Sequence, residues 1–268
     1  MAIRQKLSFF LLLFGFFFLM FCVSLAQNIV WETGTKIKVE IAPTVVYTPA
    51  NQNYSYGYEL ISKPESEQKV ETFRVEFKSQ IFEILSPSGW EAYDLSKFPA
   101  RKNLVSWNAD FGRDLEPGKK MKGFSITSPA QPGIVQSSAL GFVQEMPGAE
   151  RITSDIPGPP DPFEDCVKMK TIGPDILPSD EPVFSIDRII SLKHEAFSLG
   201  WIDNAGIANS LDQKLENAKV KISQGNKNAA KNILQAFINE LEAQRGKHIN
   251  DNAFYLLKLN AEFLISKL

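Results

Sequence analysis

The chain is short of the residues that staple or catalyse. It contains two cysteines and two histidines in 268 residues. Cys22 lies inside an apolar N-terminal run, so once that run is removed Cys166 remains alone and an intramolecular disulfide is excluded; an intermolecular bridge stays open. His194 falls on the first helix and His248 in the last loop, with unrelated surroundings, and each reads as a surface or capping residue. No Gly-x-Ser-x-Gly, His-Glu-x-x-His or Walker pattern occurs. Basic excess is also missing. The formal charge is −2, and removal of Arg4 and Lys6 with the N-terminal segment takes it to −4. That excludes nucleic acid as a partner, because phosphate binding requires a basic face.

The N-terminus carries Arg4 and Lys6, then the apolar run from Phe9 to Val23, then Ser24-Leu25-Ala26. This is the layout of a secretory signal peptide cleaved after Ala26. A retained anchor is the competing reading, since Leu7 to Leu25 nearly spans a bilayer core of about 30 Å. Met20 and Phe21 before Cys22 are too large for a lipoprotein site. The expected location is therefore secreted, meaning extracellular, cell-surface or periplasmic.

Between Ile156 and Pro182 the chain holds seven of its sixteen prolines. Proline fixes φ and donates no backbone hydrogen bond, so the run reads as a hinge. Before it apolar residues alternate with period two; after it they recur at three and four. The expected organisation is a signal peptide at 1–26, a β-sandwich at 27–150, a Pro-rich linker at 151–183 and a helical bundle at 184–268.

In the β half, Val39, Ile41, Val45 and Tyr47 form a strand interrupted by Pro43, which favours an edge or a bulge. Tyr54, Tyr56, Tyr58 and Leu60 alternate without a break, and Phe73, Val75 and Phe77 do so against Arg74, Glu76 and Lys78. This pair reads as a hairpin with a longer loop. Further strands are expected at Ile81–Leu85, Leu104–Trp107, Met121–Ile126 and Ile134–Val143. Ser86-Pro87-Ser88-Gly89 and Glu116-Pro117-Gly118 carry turn chemistry. Short strands at this spacing predict an antiparallel immunoglobulin-like sandwich, with a barrel as the alternative. Trp90 and Trp107 are expected in its core, and so is the tyrosine series, although exposed aromatic ridges also stack on sugars. Asn53-Tyr54-Ser55 is formally a glycosylation acceptor. Asp110-Phe111-Gly112 matches a kinase triplet by chance, since none of its companion motifs is present. Asp155, Asp161, Glu164 and Asp165 lack the spacing of a calcium loop and read as a solvated linker.

The second half predicts three to four antiparallel helices. Ser185 or Asp187 is expected to cap the first, which ends at Gly200. Asp203 or Asn204 caps the second, bearing Ile207, Leu211, Leu215, Ala218 and Ile222 and ending at Gly225-Asn226. Ala230, Ile233, Leu234, Phe237, Ile238 and Leu241 give the third a full core face, and Gly246 ends it. Asn250 or Asp251 opens the last, with Leu256, Leu257, Leu264 and Ile265 facing inward.

Ser198-Leu199-Gly200-Trp201-Ile202, Ser210-Leu211 with Lys214-Leu215 and Ala218, Ala236 to Glu240, Ala243-Gln244-Arg245-Gly246-Lys247, and Leu256-Leu257 with Asn260-Ala261 together resemble the C-terminal helical module called the FIMAH domain. The resemblance covers the last quarter to third of the chain and implies extracellular deployment in an accessory role, with no catalytic residues to carry over. The β half is similar to uncharacterised secreted sandwich domains.

The expectation is a secreted or surface-associated, non-enzymatic binding or structural protein. Its sandwich would be the ligand or assembly module, and its helices an accessory docking domain. No catalytic, cofactor-binding or metal-ligating residue is assigned. The expected partner is a protein or glycan of the cell envelope or extracellular space, with membrane contact only through an uncleaved N-terminal segment. The alternative is a secreted hydrolase acting on a polysaccharide or other envelope polymer through carboxylates on the sandwich loops.

Overall fold

A computed structural model describes residues 35–98, 103–141, 164–178 and 181–268. The expected signal segment 1–26, and Asp155 and Asp161 of the acidic stretch, lie outside them. The described strands are β1 (Val39–Thr48), β2 (Asn53–Ser62), β3 (Val70–Glu76), β4 (Glu83–Leu85), β5 (Trp90–Asp94), β6 (Leu104–Ala109), β7 (Lys120–Ser128), β8 (Gln131–Gly141) and β9 (Val167–Ile176). Four helices follow: α1 (Pro182–Ser198), α2 (Ala205–Ser223), α3 (Lys227–Gln244) and α4 (Asp251–Lys267).

The strands form two antiparallel sheets, in the order β1-β2-β7-β4 and β5-β6-β3-β8-β9. They pack as the expected immunoglobulin-like sandwich. Alternation explains the core. Tyr54, Tyr56, Tyr58 and Leu60 of β2 are buried and the residues between them are half-exposed, so one face of the strand points inward. It meets Phe73 of β3, Trp107 of β6 and Phe124 of β7. Tyr58 lies edge-on to Phe73 at 5.8 Å, Phe73 stacks on Trp107 at 5.4 Å, and Trp90 meets Phe124 edge-on at 5.2 Å. Each fully buried large side chain contributes about 1.5–3 kcal/mol.

Tyrosine in a core needs a partner for its hydroxyl. Tyr56 donates to the Ala130 carbonyl at 2.6 Å and Tyr58 to the Ile172 carbonyl at 3.1 Å. Ile172 belongs to β9 of the second sheet, and Ala130 to the turn through which β7 passes into β8 of that sheet. The rings fill the gap between the layers, and the hydroxyls tie one layer to the other.

Several features differ from the sequence reading. First, β2 and β3 are not a hairpin. β2 pairs with β1 and β7, whereas β3 pairs with β6 and β8. Both strands bury aromatic faces, and those faces meet across the core instead of side by side, so the Ser62–Gln68 segment crosses between sheets. Second, the stretch expected as part of a linker contains β9, which pairs with β8 from Ala139↔Val167 to Gln131↔Ile176. Pro174 is accommodated because β9 is the outermost strand of its sheet, and it lies opposite Pro132 beside a register shift. Strand β5 was also missed, since Trp90 to Asp94 carries only a short alternation.

The turns behave as their residues require. Trp90 N–H reaches the Pro87 carbonyl and Lys119 N–H the Glu116 carbonyl, both at 3.1 Å. In the helical half, the side chains of Asn204, Asn226 and Asn250 accept hydrogen bonds from the first-turn amides of α2, α3 and α4. Helix α1 starts earlier than Ser185. Its N-cap is Glu181, with Pro182 at the first helical position, where a missing N–H costs nothing. Asp187 pairs instead with Lys219 of α2 at 2.8 Å.

Each helix packs on the next and α4 returns to α1, giving a closed ring of four neighbours. Phe237, Leu234, Leu241, Leu211 and Leu257 are fully buried at its centre. Lys193 is buried as well, its ammonium paired with Asp212 of α2. One end of the bundle is pinned by the two loops whose residues carry the FIMAH resemblance. Ile202 and Ile249 form an antiparallel bridge, Asp203 N–H donates to the His248 carbonyl at 3.1 Å, and Asn250 N–H donates to the Trp201 carbonyl at 3.0 Å. The Arg245 guanidinium lies over the rings of Phe254 and Tyr255, at 4.2 and 4.9 Å. Among the described residues no helix is long and apolar enough to cross a membrane.

Candidate binding site at the sandwich and bundle junction

All described residues fall in one compact unit. The reason is α4, which packs on α1 and α3 and also on β1, β8 and β9. Strands β1 and β9 end their respective sheets, so the helix covers two edges that would otherwise present unpaired backbone.

The junction has a buried polar centre. Arg188 of α1 donates through Nη2 to Asp175 Oδ2 of β9 at 2.8 Å and to the Pro132 carbonyl of β8 at 3.0 Å. Its Nη1 donates to Asn260 Oδ1 of α4. Asn260 Nδ2 in turn donates to the same Pro132 carbonyl at 3.0 Å. Lys78 holds the other Asp175 oxygen at 2.8 Å. A buried carboxylate with two cationic partners is satisfied, whereas losing one leaves charge in a poor solvent. Gly133 makes room: a Cβ there would sit 2.2 Å from Asp175 Oδ2. Further along, Thr171 of β9 donates to Asn252 of α4 at 3.2 Å.

Beside this centre opens a cleft of about 670 Å³, within the range of small-molecule sites. The β1–β2 turn supplies Tyr47, Asn51, Gln52, Asn53 and Tyr54; the sandwich adds Phe82, Pro129 and Pro178; α4 contributes Leu259, Glu262, Phe263, Ser266 and Lys267. Tyr47 packs on buried Tyr54 with ring centroids 4.7 Å apart and is still 37% exposed, while Phe82 is 55% exposed. Gln52 takes a left-handed φ of 54°, a conformation that non-glycine residues adopt rarely and mostly in tight turns. Burial pushes the Tyr54 hydroxyl's ionisation up, and neighbouring Tyr47 adds to that. Tyr54 therefore serves as a neutral support for the Tyr47 ring.

The residues singled out in the sequence are distributed elsewhere. His194 Nε2 lies 3.0 Å from Asp212 Oδ1, and His248 Nδ1 lies 2.7 Å from Asp203 Oδ1; both are on the bundle surface and they belong to different helix junctions. Trp90 and Trp107 are in the sandwich core, their indole N–H groups donating to the Arg113 and Leu85 carbonyls. Tyr54, Tyr56 and Tyr58 are all core residues, and Tyr54 also forms part of the cleft wall. Asp165 interacts with Thr35 through its carboxylate and its carbonyl. Cys166 is half-buried just before β9. Phe111 of the chance triplet projects fully into solvent. Among the described residues no group of three or more His, Cys, Asp or Glu is placed to hold a metal ion. No sequence signal assembled the cleft, because its walls come from positions as far apart as Tyr47 and Lys267.

One carboxylate on the sandwich stands out. Burial, and then the charge of Asp114, push Glu71 of β3 up to about 7, with Arg74 opposing them.

Fold and junction together define a two-module chain, an immunoglobulin-like sandwich joined to a four-helix module through a shared polar core. The FIMAH domain model matches residues 192–266, which takes in Asn252 and Asn260 but starts after Arg188. An uncharacterized protein from Nocardia farcinica, whose crystal structure revealed an immunoglobulin-like fold, is similar at 16% identity, over 44% of this chain and 94% of that one, with a TM-score of 0.30. No curated protein matches the sequence.

Proposed function

We propose that the chain is a secreted or surface-associated binding protein without a catalytic role, in which the helical module braces the sandwich and the two share one ligand site. The single observation that carries this is the junction cleft. It brings exposed Tyr47 and Phe82 together with the C-terminal part of α4, and hydrogen bonds of Arg188 and Asn260 join the helices to the sandwich that supplies its other residues. Preorganised walls lower the cost of ordering a site on binding. The segment Met1–Ala26 supports export, and the FIMAH match supports an accessory module.

The test is co-sedimentation of the full mature chain with insoluble cell-envelope polymer, with soluble products followed in the same tubes. Retention without product release is the expected result. A hydrolase reading has one observation in its favour, the Glu71 carboxyl poised near 7 beside Asp114, which suits a general acid. Product release that disappears in Glu71→Gln would establish that reading instead.

A further inference from the structure

Resting on the reading of the junction cleft as a ligand site, we infer that it accommodates a short stretch of a neutral oligosaccharide, with Tyr47 and Phe82 as its stacking surfaces. The inference comes from the chemistry of the walls.

Aromatic side chains fill part of the lining, with Tyr47 and Phe82 more than a third exposed and Phe263 half-buried. An aromatic face carries a negative quadrupole and attracts groups that present a layer of weakly positive hydrogens. The C–H face of a pyranose ring is such a layer. Tyr47 is held for this purpose, since it packs on Tyr54, which is fixed in the sandwich.

Around the rings are three amides, Asn51, Gln52 and Asn53, and the aliphatic hydroxyl of Ser266. Amides and hydroxyls both donate and accept, which is what sugar hydroxyls require, because each of those also does both. The Asn51 side chain is steadied by the turn itself, its Oδ1 accepting from Asn53 N–H at 3.3 Å. Charge points the same way. The lining has one carboxylate, Glu262, and one ammonium, Lys267, the latter 5.2 Å from the Phe263 ring. With one charge of each sign, the cleft has no excess to recruit an anionic polymer or a basic peptide.

The probes are soluble β-1,4-linked oligosaccharides of N-acetylglucosamine and of glucose, four to six rings long, titrated into the full mature chain and followed by saturation-transfer NMR and calorimetry. Binding of at least one probe is expected. Tyr47→Ala should weaken it about ten-fold or more, and Tyr47→Phe, which keeps the ring, by less than about three-fold. Phe82→Ala serves as the second variant, because a half-exposed side chain can be shortened without touching the core, and circular dichroism melts confirm that each variant is folded. Unchanged affinity in the Tyr47→Ala, Phe82→Ala double variant would overturn the inference. So would a polar, uncharged peptide competing for the same residues with equal affinity. If no probe binds while the chain still sediments with envelope polymer, the sugar inference falls and the binding reading stands. If the chain binds neither, both fall.

Discussion

The sandwich and the bundle hold themselves together over different distances along the chain. In the sandwich, Tyr56 reaches Ala130 and Tyr58 reaches Ile172, so one hydrogen bond spans half the domain's sequence. In the bundle, Asn204 caps Ile207, Asn226 caps Ala229 and Asn250 caps Ala253, each within three residues. Local contacts require little loop closure, and long-range ones must wait for it. A single fault in the bundle therefore has near neighbours to absorb it, while a fault in the sandwich disconnects segments that nothing else brings together.

The largest effect should come from the exception to that rule, the bundle's own centre. Phe237 is fully buried among its neighbours, and Phe237→Ala is expected to cost about 3–5 kcal/mol. Thermal denaturation followed by circular dichroism should show the helical signal failing first. A melt within about 2 °C of the parent would mean that the bundle repacks around the hole.

Arg188→Ala tests the connection between the two halves. It leaves Asp175 with Lys78 alone and strips Asn260 and the Pro132 carbonyl of a donor, for an expected loss of about 2–3 kcal/mol. Calorimetry should then resolve two transitions where one is expected of the parent. A single transition in the variant would show that the apolar packing of α4 suffices.

Two smaller changes form a matched pair. Tyr58→Phe removes one cross-sheet hydrogen bond, and Asn250→Ala removes one helix cap. Each should cost about 1 kcal/mol at equilibrium. Refolding kinetics separate them, since the long-range bond is expected to form late and the cap early; the reverse order would break the comparison.

Glu71 gives a pH signature confined to the sandwich. Its folded value, raised to about 7 from 4.5, means that the folded state keeps a proton that the unfolded state has released. Its contribution is fully present below about pH 4.5 and is lost as pH rises through about 7. Glu71→Gln should remove this decline and leave the variant more stable at pH 8 by about 1–2 kcal/mol, after allowance for the group's partial exposure. Parallel stability curves from pH 5 to 8 would dismiss the shift.

The same contrast explains what the sequence disclosed. Helix faces, glycine stops and the caps Asn204 and Asn250 were legible because every relevant partner lies within one or two turns, and Phe237 was placed correctly from periodicity alone, whereas Asn226 reads as a helix stop and caps α3 instead. Strand existence was legible for β1, β2, β3, β4, β6, β7 and β8, along with the burial of Tyr54, Tyr56, Tyr58, Trp90 and Trp107. Pairing was not: nothing local in Tyr58 or Phe73 says whether they meet side by side or face to face. Strand β9 was hidden by proline density, although Val167, Met169 and Thr171 alternate with Lys168 and Lys170. Arg188 looked like any helical surface residue, because Asp175, Pro132 and Asn260 become its neighbours only in the folded chain. The cleft was invisible for the same reason.

The late position of β9 also has a consequence in time. On a ribosome adding about 5–20 residues per second, Ile176 is made roughly 2–7 s after Gly141, and α4 later still. Until β9 is in place, β8 has no strand on its outer side. The segment that closes the sandwich is thus also the one that ends its exposure to wrong partners: until β9 is in place, a chaperone or a second chain can take the edge of β8 reserved for it.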